Sequence, residues 1–331
     1  MKIPVKRLLP DRVKSPLKRL RERMTDRILL SDHPWIRRSK WPVRDASKEG
    51  PCIPFFIIAT PRSGTTLLRA ILAQHPTIFI PPENGKFGAM IRTFGSYRGY
   101  PWNSIVDAVF EVFRQGYGFR HWKIDLAEVK RTAEALPIEE RTLAMLIHLL
   151  YYIYGATHSP GKTRWGDKTV PGSVSHVAKV DLVFPEARYI HIVRDGRDCV
   201  ASCIDAGFFG RDYIRAAYAW KNNIRCCQLF GKRLKTQNRF FELRYEDLIS
   251  TPAQVVSAVC GFLAIEPTET MLHYRGMVDN LSDVLTIAHH QNVVRPIFQD
   301  SIGNWKQQLS PEMFDAVMKI MGPELALWGY R

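Results

Sequence analysis

Residues 53–66 read Ile53-Pro54-Phe55-Phe56-Ile57-Ile58-Ala59-Thr60-Pro61-Arg62-Ser63-Gly64-Thr65-Thr66. The stretch begins with a continuous apolar run, which is typical of a strand buried on both faces of a parallel sheet. A polar turn with one glycine follows, and apolar residues then recur at helical spacing from Leu67 to Leu72. The stretch therefore predicts a buried strand, a tight loop and a helix, in that order.

The loop in the middle of this stretch has the composition of an anion-binding site. At the N-terminus of a helix, backbone N–H groups point outward and the helix dipole favours negative charge. Gly64 lets the backbone approach a ligand closely, and Arg62 can hold an anion through two hydrogen bonds. The predicted ligands of a phosphate-like group are Arg62, Ser63, Gly64, Thr65 and Thr66. The alternative is a strand-to-helix corner in which Ser, Thr and Gly only cap the helix.

The same loop differs from the phosphate loop of nucleotide kinases and GTPases, whose pattern is G-x-x-x-x-G-K-[ST]. Aligned on Gly64 and Thr66, the chain has Ala59 in place of the first glycine and Thr65 in place of the lysine. The lysine that binds the β- and γ-phosphates is therefore missing. A P-loop phosphotransferase stays a rival interpretation, because the pattern still predicts the geometry of the loop.

Strands and helices alternate along the rest of the chain. Strands are predicted near 162–166, 188–193 and 239–243, and helices near 103–115, 138–154, 173–184, 212–234, 252–263 and 311–326 and from about 197. Such alternation is typical of parallel sheets whose crossover connections are helices. We therefore expect an α/β fold: a P-loop-like three-layer sandwich with a central parallel sheet and helices on both faces.

The positive charge of the chain is concentrated near its N-terminus. The 331 residues carry a formal net charge of +15, and residues 1–50 hold 15 Lys and Arg against 6 Asp and Glu. We therefore divide the chain into a basic N-terminal helical arm, 1–50, and one domain, 51–331, in which a mainly helical insertion, 84–160, covers the acceptor side. Residues 15–30 predict a basic amphipathic helix that either contacts an anionic membrane or packs on its own domain.

Cysteine use and hydropathy indicate the compartment. The six cysteines match no zinc pattern and are sparse for a disulfide scaffold, which favours reduced thiols. No apolar run approaches the ~20 residues needed to cross a bilayer, and the N-terminus lacks the apolar core of a signal peptide. These features predict a soluble, cytoplasmic protein, with peripheral membrane contact through residues 15–30 as the alternative.

The loop carries a resemblance to a known family. Pro61-Arg62-Ser63-Gly64-Thr65-Thr66-Leu67-Leu68 after an apolar strand, continued by Arg69–Pro76, resembles the 5′-phosphosulfate-binding loop of sulfotransferases that depend on 3′-phosphoadenosine 5′-phosphosulfate (PAPS). The likeness covers residues 51 to about 310 and is nearest to the branch with protein-tyrosine sulfotransferases and many bacterial sulfotransferases. It implies in-line transfer of a sulfuryl group from PAPS to a hydroxyl, less readily to an amine, with release of 3′,5′-adenosine bisphosphate (PAP). No metal is implied, because a sulfuryl group bears less charge than a phosphoryl group.

The resemblance also implies a second anchor, for the 3′-phosphate of PAPS. Family members hold this phosphate with an arginine at the end of a later strand and a serine on the next helix. Arg194 and Ser202 match these positions, and both side chains suit a phosphate. An arginine that the tyrosine-sulfating branch carries shortly after the serine is replaced here by Ala206.

Three further cofactor contacts are implied near the C-terminus. Tyr245 matches the tyrosine that contacts adenosine, although a tyrosine packed at a strand end is the alternative. Arg295, together with Asn304 in the stretch 301–306, resembles the C-terminal loop that folds over the nucleotide.

The resemblance assigns the catalytic roles to Glu83 and Lys168. Glu83 matches a glutamate that acts as general base, which is needed because the attacking hydroxyl must lose a proton. Its alternatives are a solvated or salt-bridged loop glutamate and an acceptor ligand. Lys168, after a predicted strand, matches a lysine that stabilises charge on the bridging oxygen as PAPS breaks. Asp167 is the only near candidate for a metal ligand, and it can equally orient Lys168.

The acceptor stays open between a carbohydrate, a lipid, a small metabolite and tyrosine. Several aromatic residues that lie in the predicted insertion can stack on a sugar or aryl group, or can fill the core: Phe87, Phe94, Tyr97, Tyr100 and Trp102. A second rival class is a non-enzymatic anion-binding module, in which the basic arm binds nucleic acid. That class leaves the strand–loop–helix order unexplained, so no nucleic acid partner is expected.

Overall fold

The computed structural model describes residues 40–44, 50–169, 174–280, 283 and 301–330. Within these residues, strands pair in parallel in the order β2-β3-β1-β4-β5. The strands are β1 (Phe55–Ala59), β2 (Ile78–Phe79), β3 (Arg164–Thr169), β4 (Arg188–Val193) and β5 (Phe240–Arg244). The order places β1, with the loop that follows it, at the centre of the sheet.

Helices cover both faces of this sheet. They are α1 (Thr65–Leu72), α2 (Phe87–Tyr97), α3 (Trp102–Arg114), α4 (Leu126–Glu134), α5 (Leu143–His158), α6 (Val174–Val183), α7 (Gly196–Asp205), α8 (Tyr213–Thr236), α9 (Tyr245–Ser250), α10 (Pro252–Leu263), α11 (Trp305–Gln308) and α12 (Pro311–Leu327). Short 3₁₀ segments lie at 119–121, 138–140, 208–211 and 269–280.

Side chains of β1 enter two separate cores, because successive residues of a strand point to opposite faces. Phe56 and Ile58 pack into the core formed mainly by α2 to α6, whereas Phe55, Ile57 and Ala59 pack against α1, α9 and α10. A third cluster joins α7, α8 and α12 beside the end of β4. The continuous apolar run therefore reflects burial on both faces, and the predicted three-layer α/β fold is confirmed.

The predicted elements are found with shifted ends. Strand β3 covers Arg164–Thr169 instead of 162–166, so Lys168 lies inside the strand and does not follow it. Helix α5 begins at Leu143, because Thr142 caps it by accepting a hydrogen bond from the Met145 N–H at 3.0 Å. Helices α2 and α4 lie within the predicted mainly helical insertion, 84–160, although their bounds were not predicted, and helices α9 and α11 were not expected from the sequence. The predicted helix within residues 15–30 lies outside the described residues.

Two features discussed from the sequence, the cysteines and the hydropathy of the helices, can be examined in the described residues. All six cysteines are free thiols, and four of them are buried: Cys199, Cys203, Cys227 and Cys260. Among the described helices, none combines the length and the apolarity that crossing a membrane requires.

Candidate active site

The loop after β1 forms an uncapped helix N-terminus. Gly64 is the N-cap of α1 with φ 90°, a left-handed conformation that strongly favours glycine, and no side chain caps the helix. A Cβ at Gly64 would lie 2.3 Å from Cδ2 of Tyr245, so the tyrosine ring packs directly on the loop. The N–H groups of Thr65 and Thr66 begin the helix and are oriented to bind an anion.

Two other loop side chains, those of Ser63 and Arg62, make hydrogen bonds with neighbouring segments. The Ser63 side chain is buried, and its hydroxyl lies 2.6 Å from the Thr60 hydroxyl and 3.4 Å from Sγ of Cys199. Ser63 therefore offers a ligand its backbone N–H and not its hydroxyl. Arg62 has φ 69°, and its Nε donates to Oγ of Ser202 on α7 at 2.9 Å. The arginine of the first loop thus reaches the serine of the predicted second anchor.

Arg194 lies directly after β4, beside the same loop. Its Nη1 donates to the Arg62 carbonyl oxygen at 2.8 Å, and its guanidinium lies 4.8 Å from the centre of the Tyr245 ring. Its Nη2 donates to the Ser301 carbonyl oxygen at 2.5 Å. Within the described residues, the buried Nε has no hydrogen-bond partner. An unsatisfied buried donor is costly, so this atom is well suited to receive an anionic ligand.

The C-terminal loop closes over these two anchors. The Tyr245 hydroxyl lies 2.9 Å from Oγ of Ser301. The buried carboxylate of Asp198 on α7 accepts the N–H groups of Gly303 at 2.9 Å and of Trp305 at 3.0 Å. These bonds seat the loop that contains Asn304, which is the N-cap residue of α11. Arg295 lies outside the described residues.

Asp195 and Arg197, beside the second anchor, pair with one another. Arg197 Nη2 lies 2.7 Å from Oδ2 of Asp195, and the Arg197 guanidinium covers Trp305 at 4.4 Å. These contacts occupy the Arg197 side chain in structural roles, which leaves Arg194 as the phosphate candidate of this segment.

Glu83 and Lys168 form an ion pair between the ends of β2 and β3. Nζ of Lys168 lies 2.9 Å from Oε2 of Glu83, and the two side chains are only 5% and 18% exposed. Because both strands run parallel, their carboxyl ends lie at the same edge of the sheet as the loop after β1. The pair therefore lies on the side of the sheet where the two anchors lie.

Asp167 belongs to a separate buried contact. Its Oδ2 accepts a hydrogen bond of 2.5 Å from the Tyr151 hydroxyl on α5. Burial raises the pKa of Asp167 to about 6, although the hydrogen bond from Tyr151 acts to lower it. A cavity of ≈ 10 Å³, room for about one water molecule, lies against both side chains and against Asn84. No cluster of three metal-ligating side chains occurs in the described part of the chain.

The aromatic residues considered for the acceptor divide into two groups. Phe87, Phe94 and Trp102 are buried core residues, which agrees with their alternative interpretation. Tyr97 and Tyr100 are exposed, and their ring centroids lie 5.1 Å apart. Sequence reasoning missed Tyr117, whose ring packs against Gly85, two residues after Glu83. The glycines at 116 and 118 were the available signal, since flanking glycines indicate close backbone contact.

Comparisons with known proteins show the family of the chain. A family model described as "Sulfotransferase family" matches residues 54–269, so the chain belongs to the sulfotransferase family. It is 25% identical over 292 residues to "Protein-tyrosine sulfotransferase 1" of Danio rerio, covering 86% of this chain and 73% of that protein. It is also 25% identical over 293 residues to "Protein-tyrosine sulfotransferase 2" of Gallus gallus, covering 86% of this chain and 70% of that protein.

Solved structures share the fold. The sulfotransferase domain from the Synechococcus PCC 7002 olefin synthase superposes with a TM-score of 0.56 at 20% identity, covering 84% of this chain and 97% of that domain. The sulfotransferase domain from the curacin biosynthetic pathway gives 0.53 at 21% identity, covering 83% and 98%. Family membership argues against both rival classes, the P-loop phosphotransferase and the non-enzymatic anion-binding module.

Proposed function

We propose that the protein transfers the sulfuryl group of PAPS to an acceptor hydroxyl and releases PAP. The observation that carries the proposal is the hydrogen bond between Arg62 and Ser202, because it joins the anion site after β1 to the anion site after β4. Two anion sites so close to one another suit a nucleotide with phosphates on both its 5′ and 3′ sides. Nε of Arg194, which is buried and has no hydrogen-bond partner in the described part of the chain, supports an anion at the second site.

In this assignment, the N–H groups of Gly64, Thr65 and Thr66 hold the 5′-phosphosulfate. Arg194 and Ser202 hold the 3′-phosphate, with Arg62 between the two sites. In the same assignment, Tyr245 borders the adenosine, and the loop that contains Asn304 covers the adenosine. Arg295 is carried over from the family resemblance alone.

PAPS supplies an activated sulfuryl group, and the chain supplies a base, a cation and alignment. Glu83 accepts the proton of the acceptor hydroxyl, whose oxygen then attacks sulfur. Lys168 stabilises the negative charge that develops on the bridging oxygen as the S–O bond breaks. The Lys168 ammonium group lies 2.9 Å from the Glu83 carboxylate, so the proposed cation and the proposed base are adjacent.

The first acceptor class to test is a phenolic hydroxyl. The relatives named above are protein-tyrosine sulfotransferases, and Glu83 suits an acceptor that must lose a proton. Three further predictions remain parts of the proposal. They are a cytoplasmic location, contact of residues 15–30 with anionic membranes, and the division of the chain into an arm, 1–50, and a domain, 51–331.

The proposal is tested by incubating the protein with PAPS and either a tyrosine-containing peptide, 4-nitrophenol or an aliphatic alcohol. We expect mass spectrometry to find a gain of one sulfuryl group on at least one phenol, in wild type and not in Glu83→Gln. PAP formation without any sulfated product across all three acceptor types would contradict the acceptor assignment.

A further inference from the structure

Residues 115–118, between α3 and the 3₁₀ turn at 119–121, pack directly against the loop that contains Glu83. A Cβ at Gly118 would lie 1.8 Å from the carbonyl oxygen of Glu83, and one at Gly116 would lie 2.2 Å from Oδ1 of Asn84. Real Cβ atoms do not approach so closely, so a side chain at position 118 would displace the Glu83 backbone, and one at position 116 would displace the Asn84 side chain.

Two hydrogen bonds hold the same two segments together. Nε1 of Trp122 donates to the Pro82 carbonyl oxygen at 2.8 Å, and Nδ2 of Asn84 donates to the Phe113 carbonyl oxygen at 3.1 Å. The backbone on both sides of Glu83 is therefore fixed by residues 113–122. This fixed contact also determines the position of the residue between the two glycines.

That residue, Tyr117, reaches Glu83 with its side chain. A Cβ at Gly85 would lie 2.2 Å from Cε1 of Tyr117, so the ring lies flush against Gly85. This ring position, two residues along the chain from Glu83, brings the Tyr117 hydroxyl near the Glu83 carboxylate, whose negative charge acts on it. Burial, then the negative charges of Glu83 and Asp167, raise the pKa of Tyr117, while 66% of the whole residue is exposed.

We propose that Tyr117 is a positioning residue for Glu83, and that its exposed ring forms the outer wall of the acceptor site. Lys168 contacts Oε2 of the carboxylate at 2.9 Å, and in this proposal the Tyr117 hydroxyl donates a second hydrogen bond to the same carboxylate. Two directed contacts fix the orientation of a carboxylate, and a carboxylate has about four acceptor positions, which leaves room for the acceptor hydroxyl. The catalytic meaning of this contact rests on the proposed function, whereas the contact itself does not.

The first test detects the contact without any turnover. The protein is labelled with 3-fluorotyrosine, and the ¹⁹F signal of Tyr117 is identified by its loss in Tyr117→Phe. We expect this signal to titrate at higher pH than that of Tyr218, a half-exposed tyrosine on α8, and to titrate at lower pH in Glu83→Gln. Titration of Tyr117 at the same pH in wild type and Glu83→Gln would overturn the proposal.

The second test separates positioning from a structural role. The reverse reaction is followed with PAP and 4-nitrophenyl sulfate, which releases 4-nitrophenol. Tyr117→Phe keeps the ring and removes the hydroxyl, so we expect kcat to fall about tenfold, the effect of one hydrogen bond to a charged group, with an unchanged KM for PAP. Tyr218→Phe is the matched control and should match wild type. An unchanged kcat in Tyr117→Phe would contradict the positioning role.

Tyr117→Ala extends the test to the ring. Loss of the outer wall should raise the KM for 4-nitrophenyl sulfate above that of Tyr117→Phe, and equal KM values would remove the ring from the acceptor site. Binding of PAP is measured by calorimetry on the same samples. Its failure in wild type would count against the proposed function, whereas the fluorotyrosine titration decides on Tyr117 in either case.

Discussion

Nε of Arg62 donates a hydrogen bond of 2.9 Å to Oγ of Ser202, although 140 residues separate them in the chain. The contact arises because β1 and β4 are neighbours in the sheet, so the loop after β1 and the helix after β4 begin side by side. The two segments that the sequence predicts as separate anion sites are therefore joined by a direct hydrogen bond.

The Glu83–Lys168 pair should separate chemistry from nucleotide binding. We expect Glu83→Gln to lower kcat by roughly 10²–10⁴, the usual contribution of a general base, and Lys168→Met to lower it by roughly 10²–10³. Both variants should bind PAP about as tightly as wild type, which calorimetry measures.

Stability supplies a control for that pair. Each single variant leaves a nearly buried charge without its partner, so thermal unfolding should occur at lower temperature. The double variant Glu83→Gln/Lys168→Met should regain stability without regaining turnover. Turnover at the wild-type rate in either single variant would remove that residue from the catalytic assignment.

Arg194 should account for much of the nucleotide affinity. Its guanidinium contributes charge-assisted hydrogen bonds, so Arg194→Ala should weaken PAP binding by roughly one to two orders of magnitude. Arg215→Ala is the control, because Arg215 is exposed on α8 and pairs only with Asp212 at 3.4 Å among the contacts described here. Equal PAP affinity in Arg194→Ala and Arg215→Ala would eliminate the second anchor.

Gly64→Ala should damage the loop for two separable reasons. The left-handed backbone costs about 1–2 kcal/mol for a residue with a Cβ, and the new Cβ would collide with the Tyr245 ring. We expect loss of PAP binding and a lower free energy of unfolding. Adding Tyr245→Ala to Gly64→Ala should relieve the collision and recover part of the stability; no recovery would place the whole cost in the backbone conformation.

Asp167 should make stability fall as pH rises. Its pKa of about 6 lies above the value of about 3.9 for an unfolded chain, so the folded state binds more protons between pH 4 and pH 6. The free energy of unfolding of wild type should fall by about 1–3 kcal/mol across that window relative to Asp167→Asn, as denaturant titrations at each pH would measure. Asp107→Asn, at an exposed site, is the control. Parallel pH curves for wild type and Asp167→Asn would show that Asp167 titrates normally.

The sequence predicts the elements whose patterns are local. Strand β1 and its loop follow from a run of apolar residues and one glycine, and β4 matches its predicted bounds, 188–193. The sequence does not reveal the bounds of helix α2, because Gly88 and Gly95 interrupt its apolar spacing. It does not reveal the last three residues of β3, because Asp167 is polar.

The parts of the site that escape prediction depend on distant partners. Asp167 can lie in a buried strand because Tyr151 on α5 satisfies it, and Lys168 can do so because Glu83 pairs with it. The contacts of Asp198 with the C-terminal loop and of Gly118 with the Glu83 backbone likewise join segments that are separate in the chain. No spacing rule connects such residues before the fold is known.

The central claim is a site for a nucleotide with a 5′ and a 3′ anion. It is tested most directly by calorimetric titration of the wild-type protein with PAP, with ATP and Mg²⁺ as the comparison ligand. The account predicts tight binding of PAP that does not depend on added metal, and much weaker binding of ATP–Mg²⁺. Preference for ATP–Mg²⁺, or binding of neither ligand, would contradict it.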